Sequence, residues 1–371
     1  MSATMPRTRR YGRPGSVGPA VSVWVAAWLL ANLPQVASAA LIRDHLYGVR
    51  ALSATEAWAV GNFGSIYHTT DGGKTWEPRE SGTRAPLFSV DFADAKQGWA
   101  VGKAATILHT VDGGATWKAQ KAAIPNEKHL FKVQAIDGRT AWAVGDWGAI
   151  TVTHDGGEHW EDRSLGVISV DVAESPGRTT QTITDDIILF DLSFPDAQHG
   201  YIGGEFGTIL VTSDGGEHWQ RRSTGTDKTL FGLHFATPER GWAVGIDGLL
   251  LHTRDGAHTW EVQRGRTEVE ALEELGFLDA LKNPGLYAVK VAGQYGVVVG
   301  DTGTLLTSAN GGETWSRLVL PEKNRLAWMR DVSLVPGTHG FAVGAAGFSA
   351  LVDHDQVTLP GGGKAEVADS P

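Results

Sequence analysis

The chain has 371 residues, 42% of them hydrophobic, with 48 glycines, 14 tryptophans, no cysteine and a formal net charge of −10. That acidic balance argues against a general nucleic-acid binder, which carries a basic footprint. The lack of cysteine excludes disulfides, thiolate metal sites and a cysteine nucleophile.

Residues 1–39 read as an export signal. Arg7, Arg9, Arg10 and Arg13 make a positive head, an apolar stretch follows from about Ala20 to Leu33, and Ala37-Ser38-Ala39 places small residues before Ala40. The apolar run is short for a membrane span. Cleavage after Ala39 would remove four arginines and leave a charge of about −14. The expected location is therefore exported and periplasmic, or the thylakoid lumen in a photosynthetic source, with membrane association if the segment is retained.

From Leu46 the chain repeats. Each unit opens with a Leu-aromatic-x-Val phrase: Leu46-Tyr47-Gly48-Val49, then copies at Leu87, Leu130, Leu189, Leu230 and Leu286, and a seventh at Met329 with Arg330 in the aromatic place. Alternation puts the aromatic residue and the following Val or Leu on one face of a strand. A second strand ends at Gly61, Gly102, Gly145, Gly204, Gly245, Gly300 and Gly344, at intervals of 41, 43, 59, 41, 55 and 44 residues. A two-residue hairpin connection such as Asn62-Phe63 or Asp146-Trp147 leads to a third strand. A turn box, first Thr70-Asp71-Gly72-Gly73-Lys74-Thr75-Trp76, leads to a fourth strand starting at its tryptophan.

Four short antiparallel strands, seven times over, predict an all-β fold, a seven-bladed β-propeller spanning 40–360 with a tail over 361–371. The seventh unit has no box, and its outer strand is expected from the mature N-terminus around Ala40 to Asp44 or from the tail. Insertions at about 165–186 and 262–284 lengthen two units. The first reads as a loop or extra hairpin. The second, Thr267 to Lys282, spaces Leu272, Leu275, Leu278 and Leu281 as one face of a short helical insertion ended by Asn283-Pro284-Gly285.

The box has a complete structural explanation: the acid accepts backbone N–H bonds, the glycines allow positive φ, and the tryptophan wedges against an adjoining sheet. The box pairs are Asp71 with Trp76, Asp112 with Trp117, Asp155 with Trp160, Asp214 with Trp219, Asp255 with Trp260, and Asn310 with Trp315. Asn310 keeps the turn and loses the charge, which a catalytic acid could not do. His68, His109 and His252 recur at one place in three units, so they point in different radial directions and cannot converge on one ion. A shared hydrogen-bonding role within each blade is expected, with no metal. No nucleophile or phosphate-loop motif appears, and Asp91, Asp191, Asp331 and Glu205 are candidates only as acids of a propeller face. Arg79, Arg163 and Arg222 on outermost strands read as protection of an exposed edge.

In an up-and-down blade the second-to-third connection and the blade-to-blade connection open on one face. Both insertions therefore share a face with Phe63, Trp147 and Phe206, aromatic side chains in turns. These three, with Leu272 and Leu275, are the candidate partner-binding residues.

The box resembles the Asp-box, or BNR repeat, of sialidases, sortilin-type receptors and several glycosidases. The fuller unit, best seen at 84–117 and 227–260, resembles the photosystem II stability and assembly factor family of plants and cyanobacteria. That resemblance implies a non-catalytic exported propeller without cofactor that helps a membrane complex assemble through protein contacts. The expected partner is an extracytoplasmic segment of a membrane protein, with the chain a monomer. The alternative is a sialidase-like or other glycan-active or glycan-binding propeller, which would need three arginines and a tyrosine beside an acid around the central depression.

Overall fold

A computed structural model describes residues 42–165, 187–263, 284–335, 339–353 and 356–360, and the backbone of three short strand segments besides. Residues 1–41 and most of both insertions, with Leu272, Leu275 and the expected helix, lie outside the described residues. In the first insertion, Ile168–Ser169 pairs with Thr182–Ile183 as a small antiparallel ribbon.

Seven antiparallel sheets form the blades, each in simple sequential strand order. The innermost strands are Leu46–Ala51, Leu87–Phe92, Leu130–Ala135, Leu189–Ser193, Leu230–Phe235, Leu286–Ala292 and Met329–Leu334. Each touches the next, and the seventh touches the first, so the ring closes. The fourth strands begin one residue after the box tryptophan, as at Glu77–Arg79 and Lys118–Gln120.

The core lies in the seams between blades. Trp58, Val60 and Ile66 of the first blade pack with Leu87, Val90, Phe92, Ala100 and Trp117 of the second. Each fully buried aliphatic or Phe side chain contributes roughly 1.5–3 kcal/mol relative to exposure. A single blade could not bury both its faces, which is why the pattern must recur. A box tryptophan lies in the seam with the preceding blade: Trp76 meets Phe341 of the seventh blade, Trp117 meets Trp58, and Trp219 meets Trp142. The second box glycine makes the approach possible, since a Cβ at Gly114 or Gly216 would strike the ring of Trp58 or Trp142.

Two expectations are corrected. The aromatic residue of the opening phrase does not share a face with the following Val or Leu. A β-bulge at that position in every blade, for example between Leu46 and Gly48, leaves the aromatic residue unpaired and turns it toward the axis. Strict alternation resumes only beyond it. The seventh blade does not borrow its outer strand from the N-terminus: Ser349–Asp353 pairs with Gln356–Thr358, which pairs with Lys364–Glu366. Ile42 instead packs in the seam between the seventh and first blades, and the carbonyl of Asp44 accepts from Gly347 N at 2.7 Å.

Within each box the acid closes the turn. Asp71 Oδ1 accepts from Thr75 N at 2.9 Å and from Thr69 Oγ1 at 2.9 Å, and Oδ2 accepts from Thr75 Oγ1 at 2.6 Å. His159 and His218 replace the threonine and bond Asp155 and Asp214 through Nδ1. Asn310 keeps the turn by accepting from Thr314 N and donating to Thr314 Oγ1.

Candidate functional site

In the six blades that carry a box, the first-to-second turn touches the box turn, as in the bond from Gly72 N to Thr55 O. Each second-to-third turn touches the start of its innermost strand, as in the bonds from Asn62 N to His45 O and Glu205 N to Ile188 O. The two sets of turns therefore occupy opposite faces. Residues flanking both insertions lie with the second set: Ile187 O accepts from Gly148 N, and Gly285 O from Asp301 N.

On that face Phe63, Trp147 and Phe206 are 71%, 46% and 63% exposed. All three have left-handed backbone, with φ of 58°, 49° and 53°, a conformation that costs a residue with a Cβ roughly 1–3 kcal/mol. Ala104, Asp247, Thr302 and Ala346 hold the equivalent place in the other blades. Strained turns bearing exposed rings are the kind of feature function retains.

Inside these turns the bulge residues form a collar around the axis. Successive ring centroids are 5.6 Å apart for Tyr47 and Phe88, 5.5 Å for Phe88 and Phe131, and 5.7 Å for Phe131 and Phe190. The series continues at 5.2 Å for Phe190 and Phe231 and 5.4 Å for Phe231 and Tyr287. Arg330 takes the seventh place, its guanidinium 4.6 Å from the Tyr287 ring, and Trp328 stacks on Tyr47. The collar bounds a cavity of about 360 Å³ with Lys132, Asp191 and Asp331 at its floor.

The floor is a charge cluster that knits the blades. Lys132 Nζ lies 3.6 Å from both Asp191 and Asp331. Burial opposes its charge, but Asp191, Asp331 and Asp91 outweigh burial and hold its pKa above the ordinary value. The acids also accept backbone N–H bonds from the next blade: Asp191 from Leu233, Asp331 from Val49, and Asp91 from Ala135. Two positions along, Gln134 pairs with both backbone groups of Phe194, and His234 Nε2 donates to Val291 O. Strand-edge groups facing the channel are satisfied this way. Beneath the floor a second space of about 150 Å³ is lined by Arg50, His234 and Lys290 among others. Burial and then the nearby Lys132 depress the pKa of Lys290.

Asp91, Asp191 and Asp331 are thus staples. Glu205 accepts from Ile188 N and supports a rim turn. His68, His109 and His252 stack on Trp58, Trp99 and Trp242 with centroids 4.0, 4.4 and 4.8 Å apart, so ring contact is what they share rather than one hydrogen bond. Arg79 and Arg163 pair with Glu77 and Glu161 on their own edge strands, and Arg222 bonds Gly256 O. Asp155, Glu158 and His159 bring ligand atoms within 4.8 Å on the surface, where Asp155 is already engaged by its own turn. Of the tyrosines, Tyr47 and Tyr287 line the mouth cavity, and Tyr287 donates to Asp301 Oδ2 at 2.7 Å. Burial and then Asp301 push the Tyr287 phenol up to about 12, the wrong direction for a nucleophile. Arg330 is the one arginine among the described residues lining that cavity.

Sequence reasoning missed Lys132, Trp328 and the cavity itself. The available signal was Lys132 aligned with Asp191 and Asp331 two places after the opening Leu or Met. Its meaning depended on the bulge.

Two solved structures are similar at 21% identity: one described as YCF48 bound to D1 peptide, with TM-score 0.63 over 85% of this chain and 95% of that one, and YCF48 from Cyanidioschyzon merolae, with TM-score 0.64 over 84% and 96%. An ancestral GH74 enzyme shares the fold at 13% identity and TM-score 0.61, over 83% of this chain and 45% of that one. No curated protein matches the chain. The BNR/Asp-box repeat model matches residues 67–78. The model for the photosynthesis system II assembly factor YCF48 matches 81–168, 170–229 and 223–328, more than half of the chain, so the chain belongs to the YCF48 assembly factor family.

Proposed function

We propose that this chain is an exported, non-catalytic, monomeric propeller that holds an extracytoplasmic segment of a membrane protein while that protein's complex assembles. The observation that carries this reading is the set of three exposed aromatic turns, Phe63, Trp147 and Phe206, on the face where an aromatic-walled cavity opens. Rigid aromatic anchors around a concave centre give affinity at low entropic cost. Family membership and the D1 peptide bound by a relative support a peptide ligand. The Arg7–Ala39 segment supports export.

The test is capture of a membrane protein from solubilised membranes of the source cell by the chain lacking residues 1–39, with the bound protein identified. A variant combining Phe63→Ala, Trp147→Ala and Phe206→Ala, and separately deletion of 267–282, should lose that protein. An unchanged yield would remove the face from the reading. N-terminal sequencing of the periplasmic fraction checks export, with Ala40 expected first.

The glycan reading has one observation in its favour, Tyr287 beside Asp301 at the cavity. The depressed acidity of that phenol and a single arginine count against it. Release of fluorophore from sialoside or xyloglucan-type substrates would revive it.

A further inference from the structure

Almost every polar group lining the mouth cavity has its partners. Asp191 and Asp331 accept backbone N–H bonds and share Lys132. Tyr47 donates to Asn62 Oδ1 at 3.0 Å, and Tyr287 to Asp301. Among the charged groups of that lining, Arg330 is the exception. Its guanidinium lies over Tyr287 at 4.6 Å and 5.9 Å from the Phe231 ring, the residue is only partly buried, and no acceptor among the described residues meets its N–H donors. Burial depresses its pKa, partly offset by Tyr287 and by Asp331, Asp191 and Asp301.

A partly buried guanidinium whose donors meet no protein acceptor is open to a charged acceptor entering the cavity, where the pair is stronger than in bulk water. Its planar fork matches a carboxylate in two parallel bonds, and ring stacking already fixes its plane. The walls facing it are Phe88, Phe131 and Phe190. A ligand that satisfies both parts carries a carboxylate on an apolar body. The acids at the floor do not compete for Arg330, since their oxygens are held by Lys132 and backbone donors.

We infer that the collar is a subsite for a carboxylate presented by an apolar peptide segment, with the carboxylate forked onto Arg330 and the adjoining side chain among the phenylalanines. This rests on the peptide-binding reading above and names the chemistry its centre selects. A backbone carbonyl would meet one donor; a carboxylate meets two and compensates the charge.

Three fluorescein-labelled peptides test it against the full chain by anisotropy: Gly-Ser-Leu-Phe as free acid, the same sequence as C-terminal amide, and Gly-Ser-Leu-Phe-Glu as amide. Binding of one or both acid-bearing peptides should exceed that of the plain amide by roughly tenfold or more, the scale of a charge-assisted pair. The two acid-bearing peptides separate a chain-end carboxylate from a side-chain one. Arg330→Gln should erase the difference, and Arg330→Lys should keep only part of it. Equal binding of all three, no binding of any at about 1 mM, or a preference surviving Arg330→Gln would overturn the inference. If Arg330→Gln fails to fold, the peptide comparison on the unaltered protein decides alone. Acid preference with unchanged membrane capture by the Phe63, Trp147 and Phe206 variant would sink the face assignment and leave this subsite standing. Capture lost with no acid preference would do the reverse.

Discussion

The amide of Val49 donates a 3.0 Å hydrogen bond to Asp331 Oδ2, joining residues 282 apart in sequence at the point where the last blade meets the first. Ser333 repeats the contact one step outward by accepting from Ala51 N. The same carboxylate faces Lys132 from the third blade across the channel, so ring closure and the cavity floor depend on one side chain.

Asp331→Ala should therefore destabilise the whole propeller, not one blade. It leaves a buried N–H unpaired and Lys132 with one carboxylate fewer, at a cost of about 2–4 kcal/mol. Urea unfolding should show a lower midpoint in a single transition. Glu161→Ala, on an exposed edge strand, is the control and should move stability by less than about 0.5 kcal/mol.

Two glycines with nearly the same backbone separate strain from collision. Gly114 has φ of 79° and its Cβ would strike Trp58, whereas Gly82 has φ of 75° and nothing within 4 Å. Gly82→Ala should cost about 1–2 kcal/mol, the left-handed penalty. Gly114→Ala should cost at least about 1 kcal/mol more, from overpacking the seam. Equal losses would mean that the box glycine serves the turn alone.

Acid should weaken the fold in two stages. Burial first, and then Arg254, holds His252 at about 4 against 6.5; burial and then Lys290 hold His234 at about 3. Between those values and 6.5 the unfolded chain binds more protons, so stability is full above pH 6.5 and falls as pH drops toward 4 and below. Asp112, held at about 2 by the side chain and amide of Thr116, contributes stability present above 3.8 and lost as pH falls through 2. Denaturation midpoints across pH 2–7 check both stages, and His252→Gln should flatten the upper one.

Phe206 and Trp147 should be dispensable for stability and needed for binding. Phe206→Gly relieves the left-handed strain and loosens the unfolded chain, and these effects nearly cancel to within about 1 kcal/mol. Thermal melting should change little while membrane-protein capture falls. Loss of stability with retained capture would assign the ring a packing role.

The strands, their count and the ring were legible because glycine, tryptophan and the Leu-aromatic-x-Val phrase recur with the period of a blade. Local chemistry sufficed where a residue answers to its own turn, as Asp71 does to Thr75, and the common face of Phe63, Trp147 and Phe206 follows from strand order, while their exposure is read from the structure. The seven strand-ending glycines recur because a Cβ at Gly61 or Gly145 would run into the backbone at His45 or His129, where the bulge brings the first strand close. Sequence displays that requirement without its cause.

Tertiary structure decided the direction of the aromatic collar, the pairing of Lys132 with acids of the neighbouring fourth blade and the seventh blade across the channel, and the source of the last outer strand. A bulge reverses side-chain direction without altering the residues that predict alternation, so Tyr47 to Tyr287 faced the axis instead of the core. Convergence at an axis is a property of closure: Lys132 and Asp191 stand on neighbouring blades, but Asp331 of the seventh blade meets Lys132 of the third only because seven twisted sheets complete one turn.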